Sequence, residues 1–298
     1  MSTFVKEQVE SIRESCPALT IDVHVIEGYR PKGEYLKEML RLPAIVKKSR
    51  YDIVHAHFGL TLISTLLLRV PVVITFHGSD LLVNPTKHVS RLLAPRASKV
   101  IVVAERLREH LGYGEVIPCG IPVKNFMLPS SHENRPSPRI PGNLKVLFPS
   151  NPGYKVKDYG LFQAVRQELE KRGSKVEEIH LMNINRENVP EVYWNCDLML
   201  LTSLSEGSPT VIKEAIAAKL PFVSVDVGDV KEWARLIDFG VVVQHRDPKT
   251  IADDAISLLS RIEHRTFLNN SECLEAMDLA NIARRVKHVY DQALEERS

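Results

Sequence analysis

The chain has 298 residues, enough for about two domains, and its 44% hydrophobic and 26% charged residues are the make-up of a soluble globular protein that can bury a core. A net charge of +2 argues against a dedicated nucleic-acid binder, because affinity for a phosphate backbone comes from many clustered cations. No signal peptide is read at the start, no apolar run reaches the ~18 residues of a membrane span, and Cys16, Cys119, Cys196 and Cys273 form no CxxC pair, so reduced thiols in the cytoplasm are expected.

TFVKEQVESIRES near the start reads as a helix, and IDVHVI (21–26) as a strand. YLKEMLRLPAIVKK follows as a helical pattern, with Pro43 expected to interrupt any long amphipathic helix. The basic surplus of residues 1–120, 16 Lys and Arg against 12 Asp and Glu, lies partly here, in KKSR (47–50) with Lys37 and Arg41. It is read first as a solvated face and second as weak peripheral contact with the inner face of an anionic membrane. DIVHAH (52–57), VVITF (72–76) and VIVVA (100–104) read as strands, with LTLISTLLLR and ERLREHLG as helices between and after them. Residues 121–143 hold five of the 18 prolines and read as a linker.

The alternation then restarts. LKVLF (144–148), EIHLM (178–182), DLMLL (197–201), PFVSV (221–225) and VVVQ (241–244) are strand candidates. YGLFQAVRQELEKRG, TVIKEAIAAK, DVKEWARLI, TIADDAISLLSRI and a long segment from about Leu274 are helix candidates. The expected organisation is two α/β domains, at 1–120 and 144–270, with a C-terminal helix at 271–298 packing back on the first. Ligands in such sheets bind at the carboxyl ends of strands, and two facing sheets would create a crevice.

The most informative strand end is SLSEGSPTVIKEA (203–215). Pro209 suits a helix start and Ser208 an N-cap, so a helix over 210–219 is expected. Acids near a helix N-terminus are mildly stabilised by its dipole, which by itself would account for Glu206 and Glu214. The same helix start offers amides to a phosphate, and Gly207 allows close approach. Amides for a diphosphate beside carboxylates for hydroxyls suit a nucleotide sugar. Lys157, after LKVLF, could neutralise phosphate or simply be solvated. His77, after VVITF, stands before a glycine at a strand end. His55 and His57 share one strand face, but no third ligand at suitable spacing is visible, so no metal is expected. Cys119 reads as a structural thiol, and Asp226 and Asp229 as turn residues that could border the site.

These stretches resemble the retaining glycosyltransferases of family 4, of GT-B fold, with two Rossmann-like domains facing each other across a crevice. EGSPTVIKEA matches the family's E-x7-E motif, with VSVDVGDVKEW downstream; TFHGSD matches its histidine motif, VIPCGI the crossover between domains, and YDIVHAHFG the preceding strand. The resemblance covers almost the whole chain. It implies Glu206 beside the donor sugar with the Gly207 and Ser208 amides near its hydroxyls, and Glu214 on the ribose. It implies the Thr210 and Val211 amides and Lys157 on the diphosphate, His77 at the reacting face, and Ile184 near the base. Transfer from a UDP- or GDP-linked sugar to a glycan or lipid-linked acceptor, in surface polysaccharide synthesis and without a cofactor, is what it implies about function. A non-catalytic nucleotide-sugar-binding subunit and a nucleotide-sugar epimerase are the alternatives.

Two features depart from the family pattern. The place of the family's diphosphate arginine, six residues before Lys157, is taken by Asn151, which can donate a hydrogen bond but supplies no charge. The family's opening strand and glycine-rich loop have no counterpart before TFVKEQVESIRES, and strand insertion or a homo-oligomer is expected to cover the edges so left.

Overall fold

The Val-, Ile- and Leu-rich runs become two parallel sheets in the computed structural model, which describes residues 2–27, 33–83, 85–130, 141–262 and 271–296. The chain divides into two units, Met1–Gly120 with Leu279–Ser298, and Ile121–Asp278.

In the first unit, β1 (Val54–His57), β2 (Val72–Phe76), β3 (Lys99–Val102) and β4 (Glu115–Val116) lie side by side in chain order. β2 is buried throughout, and successive residues point to opposite faces. Ile74 and Phe76 join Leu62, Leu81 and Leu107 in one cluster, while Val73 joins Ile12, Ile101, Val286 and Val289 in another. The second cluster exists because helix Leu279–Glu295 packs on helix Thr3–Ser15 and against β2.

Three expectations for this unit fail. Residues 21–26 form no strand; Val23 and Val25 are exposed and the segment makes no ladder, so its β-branched composition is not used in pairing. The run 60–69 gives only a 3₁₀ turn, Gly59–Thr61, and one helical turn, Leu62–Thr65. There the Thr61 hydroxyl donates to the carbonyls of His57 and Phe58 and the Thr65 hydroxyl to that of Leu62, ties that favour short turns over a regular helix. Pro43 does not stop its helix, which runs unbroken from Glu34 to Ser49, because Leu42 and Val46 bury one face of it on either side of the proline.

In the second unit, β5 (Asn143–Phe148), β6 (Lys175–His180), β7 (Leu198–Leu201), β8 (Phe222–Val225) and β9 (Gly240–Val243) are all parallel, in the order β6-β5-β7-β8-β9. The chain runs from β5 outward to β6, then returns past β5 to β7. That reversal opens a crevice between the carboxyl ends of β5 and β7, where parallel sheets bind ligands. Helix Tyr159–Lys171 is capped by Asp158, whose carboxylate accepts from the Leu161 amide at 3.2 Å. The stretch expected as a linker starts inside this unit: Ile121, Val123 and Phe126 are buried in its core, and the Trp194 indole donates to the Phe126 carbonyl at 2.9 Å. The remainder of that stretch at 131–140 lies outside the described residues. Helix Ser271–Met277 belongs to this unit and helix Leu279–Glu295 to the first. Among the described residues, no helix is long and apolar enough to cross a membrane.

Candidate functional site

The reversal between β5 and β7 is stitched by backbone contacts before any charged pair forms. The Leu204 amide donates to the Val156 carbonyl at 2.8 Å, and the Thr202 hydroxyl reaches the carbonyls of Lys157 and Asp158, both at 3.0 Å. Arg246 clamps the same place, donating to the carbonyls of Ser203 (3.0 Å) and Thr202 (2.6 Å) and to the Asp158 carboxylate (2.6 Å). On this frame the Lys157 amine meets Glu206 Oε1 at 2.7 Å, with 24% and 14% of the two side chains exposed. Lys157 ends a 3₁₀ turn, Lys155–Lys157, and Asp158 caps the helix that follows. Asn151 is turned inward on its own loop, its side-chain oxygen accepting from the Gly153 amide at 2.8 Å. Such an Asx-type turn is local chemistry.

Helix Thr210–Ala217 starts with Pro209 at the N-cap position and Thr210 and Val211 as its first residues, whose amides lack partners within the helix. Ser208 is not the cap. Its hydroxyl donates to Asp229 Oδ2 at 2.6 Å and accepts from the Lys213 amine at 2.7 Å, so it is drawn toward the interior by a buried ion pair. Glu214 is buried as well. The Tyr193 hydroxyl donates to its Oε2 at 2.7 Å, and Arg186 Nη1 lies 2.7 Å from Oε1, though not aligned for a hydrogen bond. Arg186 also stacks over Phe126, its guanidinium carbon 5.0 Å from the ring centre. Burial and the neighbouring Glu214 charge push the Tyr193 phenol far above its ordinary range, so it stays a donor. Ile184, in the loop after β6, is half-buried against the core.

The first unit builds a different cluster. His55 and His57, two apart on β1, stack at 4.3 Å between ring centres, and His57 Nδ1 is 3.0 Å from His77 Nε2. His55 also bonds the Tyr290 and Thr75 hydroxyls, both at 2.7 Å. Phe4 and Phe58 flank His77, and the Cys119 sulfur is 4.0 Å from its Nδ1. Burial lowers all three imidazoles, with repulsion from neighbouring imidazoles adding to it at His55 and His77; His57 falls to about 4. All three are therefore neutral near pH 7. The turn that presents His77 is closed by Asp80, a buried carboxylate accepting from the amides of Gly78 (2.8 Å), His77 (3.0 Å) and Gly59 (3.2 Å). Burial raises that carboxyl despite these bonds. Gly78 has φ +115°, a conformation closed to most side chains. Among the described residues, no group of three or more His, Cys, Asp or Glu could hold a metal ion.

Sequence reasoning missed Asp80, Arg186, Tyr193, Lys213 and Arg246. Lys213 alone left a trace. It stands between Ile212 and Ala215 on a helix with little exposed surface, and a fully buried lysine requires a partner.

Two Rossmann-like units of parallel sheet, the second with a cation–carboxylate pair at its reversal point, define a GT-B protein. Solved structures agree. Sucrose-phosphate synthase from Thermosynechococcus elongatus superposes with a TM-score of 0.69 at 18% identity, covering 91% of this chain and 81% of that one. HepE from Anabaena in complex with UDP gives 0.68 at 17% identity, over 88% and 84% of the two chains. A glycosyltransferase from Rickettsia africae gives 0.69 at 16%, over 99% and 88%. Residues 9–125 match the family described as Glycosyltransferase Family 4, and residues 158–271 match Glycosyl transferases group 1. The chain belongs to the family 4 glycosyltransferases. A putative teichuronic acid biosynthesis glycosyltransferase of Bacillus subtilis, TuaC, is 27% identical over 210 residues, 60% of this chain and 54% of that protein. An N-acetyl-alpha-D-glucosaminyl L-malate synthase of Bacillus anthracis is 36% identical over 83 residues, 28% and 22% of the two. The matches thus span about half or less of these curated relatives.

Proposed function

We propose that the chain transfers a sugar, with retention of anomeric configuration, from a nucleotide-diphospho-sugar to a glycan or lipid-linked acceptor in surface polysaccharide synthesis. The observation that carries this reading is the Lys157–Glu206 pair at the reversal between β5 and β7, next to the start of helix Thr210–Ala217. Diphosphate binding there would draw Lys157 from Glu206 and free that carboxylate for a sugar hydroxyl. The Thr210 and Val211 amides would add neutral donors, partly replacing the charge that Asn151 does not supply. In the reaction the anomeric carbon's bond to the diphosphate breaks and a bond to the acceptor oxygen forms on the same face. The acceptor proton passes to the departing diphosphate, whose charge Lys157 and the helix amides stabilise. His77, neutral and held by His57 and Asp80, would contact the sugar. The name of TuaC and the UDP complex of HepE favour a polysaccharide setting and a nucleotide-linked donor.

The test is calorimetric titration with UDP, GDP and ADP, repeated with Glu214→Ala. Binding of one nucleotide, weakened by the substitution, is expected and would identify the base for an acceptor screen. No binding of any of the three would overturn the reading. Binding without transfer across an acceptor screen would favour a non-catalytic sugar-nucleotide subunit.

A further inference from the structure

We propose that the buried Lys213–Asp229 pair is a positioning device, which fixes the Glu206–Gly207–Ser208 stretch in a ligand-ready conformation before any ligand arrives. What the stretch would hold rests on the donor-site reading above; the tether itself does not.

The pair joins three separate pieces of the second unit. Lys213, with no exposed surface, lies on helix Thr210–Ala217; its amine donates to Ser208 Oγ at 2.7 Å and to Asp229 Oδ2 at 3.1 Å. Asp229, 4% exposed, lies in the turn after β8 and also accepts from the Trp233 indole at 2.9 Å and the Ser208 hydroxyl at 2.6 Å. The Lys213 amine sits 5.1 Å from the centre of the Trp233 ring. One carboxylate oxygen therefore gathers donors from the turn after β7, the following helix and the short helix Val230–Ala234 after β8. The other, Oδ1, is buried with no hydrogen-bond partner among the described residues.

Such an arrangement is a poor way to gain stability. Taking both charges out of water is costly, and apolar replacements of similar volume are often as stable. Its specific product is direction. The pair draws the Ser208 side chain inward at the first residue before the helix cap. The backbone beside it is fixed from the same turn: Gly228 has φ +57°, and a Cβ there would come within 2.4 Å of the Gly207 carbonyl oxygen. Glu206, in turn, is held by Lys157 at 2.7 Å. Glu206 and Ser208 are thus tethered by different partners, Gly207 between them packs closely against Gly228, and the Ser208 tether runs through a buried charge.

The decisive variant is Lys213→Met combined with Asp229→Leu, which removes both charges and leaves neither one stranded. Two readouts are followed beside the thermal midpoint. One is the rate at which the glutamate-specific endoprotease Glu-C cuts the unliganded chain after Glu206, mapped by mass spectrometry. The other is the affinity for UDP, GDP and ADP. The double variant should melt within a few degrees of the wild type, yet be cut roughly tenfold faster after Glu206 and bind its nucleotide roughly tenfold more weakly. Ser208→Ala, which keeps both charges of the pair, should move the cleavage rate in the same direction by a smaller factor. Wild-type cleavage rates in both variants would overturn the proposal and leave the pair a packing feature. If the wild type binds none of the three nucleotides, the donor-site reading fails, while the cleavage rates still decide the tether.

Discussion

The two units use the same architecture and opposite electrostatics at their strand ends. In the second, every charged group at the candidate site is met by its opposite: Lys157 by Glu206, Arg186 by Glu214, Lys213 by Asp229, Arg246 by Asp158. In the first, three neutral imidazoles stack, His57 hydrogen-bonds His77, and the buried carboxylate of Asp80 is spent on backbone amides. The difference teaches what each end is prepared for. Paired charges can exchange partners with a charged ligand at little net cost, whereas neutral donors and acceptors can meet hydroxyls without having to shed a counter-ion.

The largest effect that would sharpen this contrast concerns Glu206. Glu206→Ala should lower transfer by about 10²–10³-fold, the range seen when one preorganised polar group is removed, with nucleotide affinity much less affected. Retained transfer would remove Glu206 from the chemistry. Gly228→Ala comes next. The left-handed backbone costs a β-carbon about 1–2 kcal/mol, and its overlap with the Gly207 carbonyl adds to that. Denaturant unfolding should show a loss of about 3 kcal/mol. Tyr193→Phe removes the hydroxyl that donates to Oε2 of the buried Glu214 and should cost about 2 kcal/mol. An unchanged midpoint would mean that Arg186 alone satisfies that carboxylate.

The smallest effect tests the neutral side of the contrast. An unfolded imidazole takes up its proton near pH 6.5, but His57 in the fold does so only at about 4. Between those values the unfolded chain binds more protons, so stability present above pH 6.5 drains away as pH falls toward 4. His57→Gln should flatten this fall by about 1 kcal/mol, once partial exposure of the rings is discounted. A slope unchanged by the substitution would place the acid sensitivity elsewhere, with His55 and His77 the next to be replaced.

Much of this was readable in one dimension because β-strands buried on both faces are continuous apolar runs, and the described sheets use eight such runs close to their expected bounds. The strand expected at 21–26 shows the limit of that signal: composition marks a segment that could pair, and pairing needs a neighbour. Pro43 shows another, since a proline weakens a helix locally while the burial of Leu42 and Val46 is decided by what the helix packs against. At the site, Lys157 and Glu206 were both singled out from the chain, 49 positions apart, but nothing in their spacing shows that they touch. Ser208 was assigned to the helix cap because local chemistry allows it; the buried Lys213–Asp229 pair outcompetes that bond.

The sequence by itself determined the alternation of strands and helices, the two-unit α/β class and the family, because these follow from short-range periodicity and from motifs a few residues long. The tertiary structure alone decided which charges are paired and which imidazoles are neutral. Both depend on distance and on exclusion of water, and neither quantity exists until segments far apart in the chain are packed together.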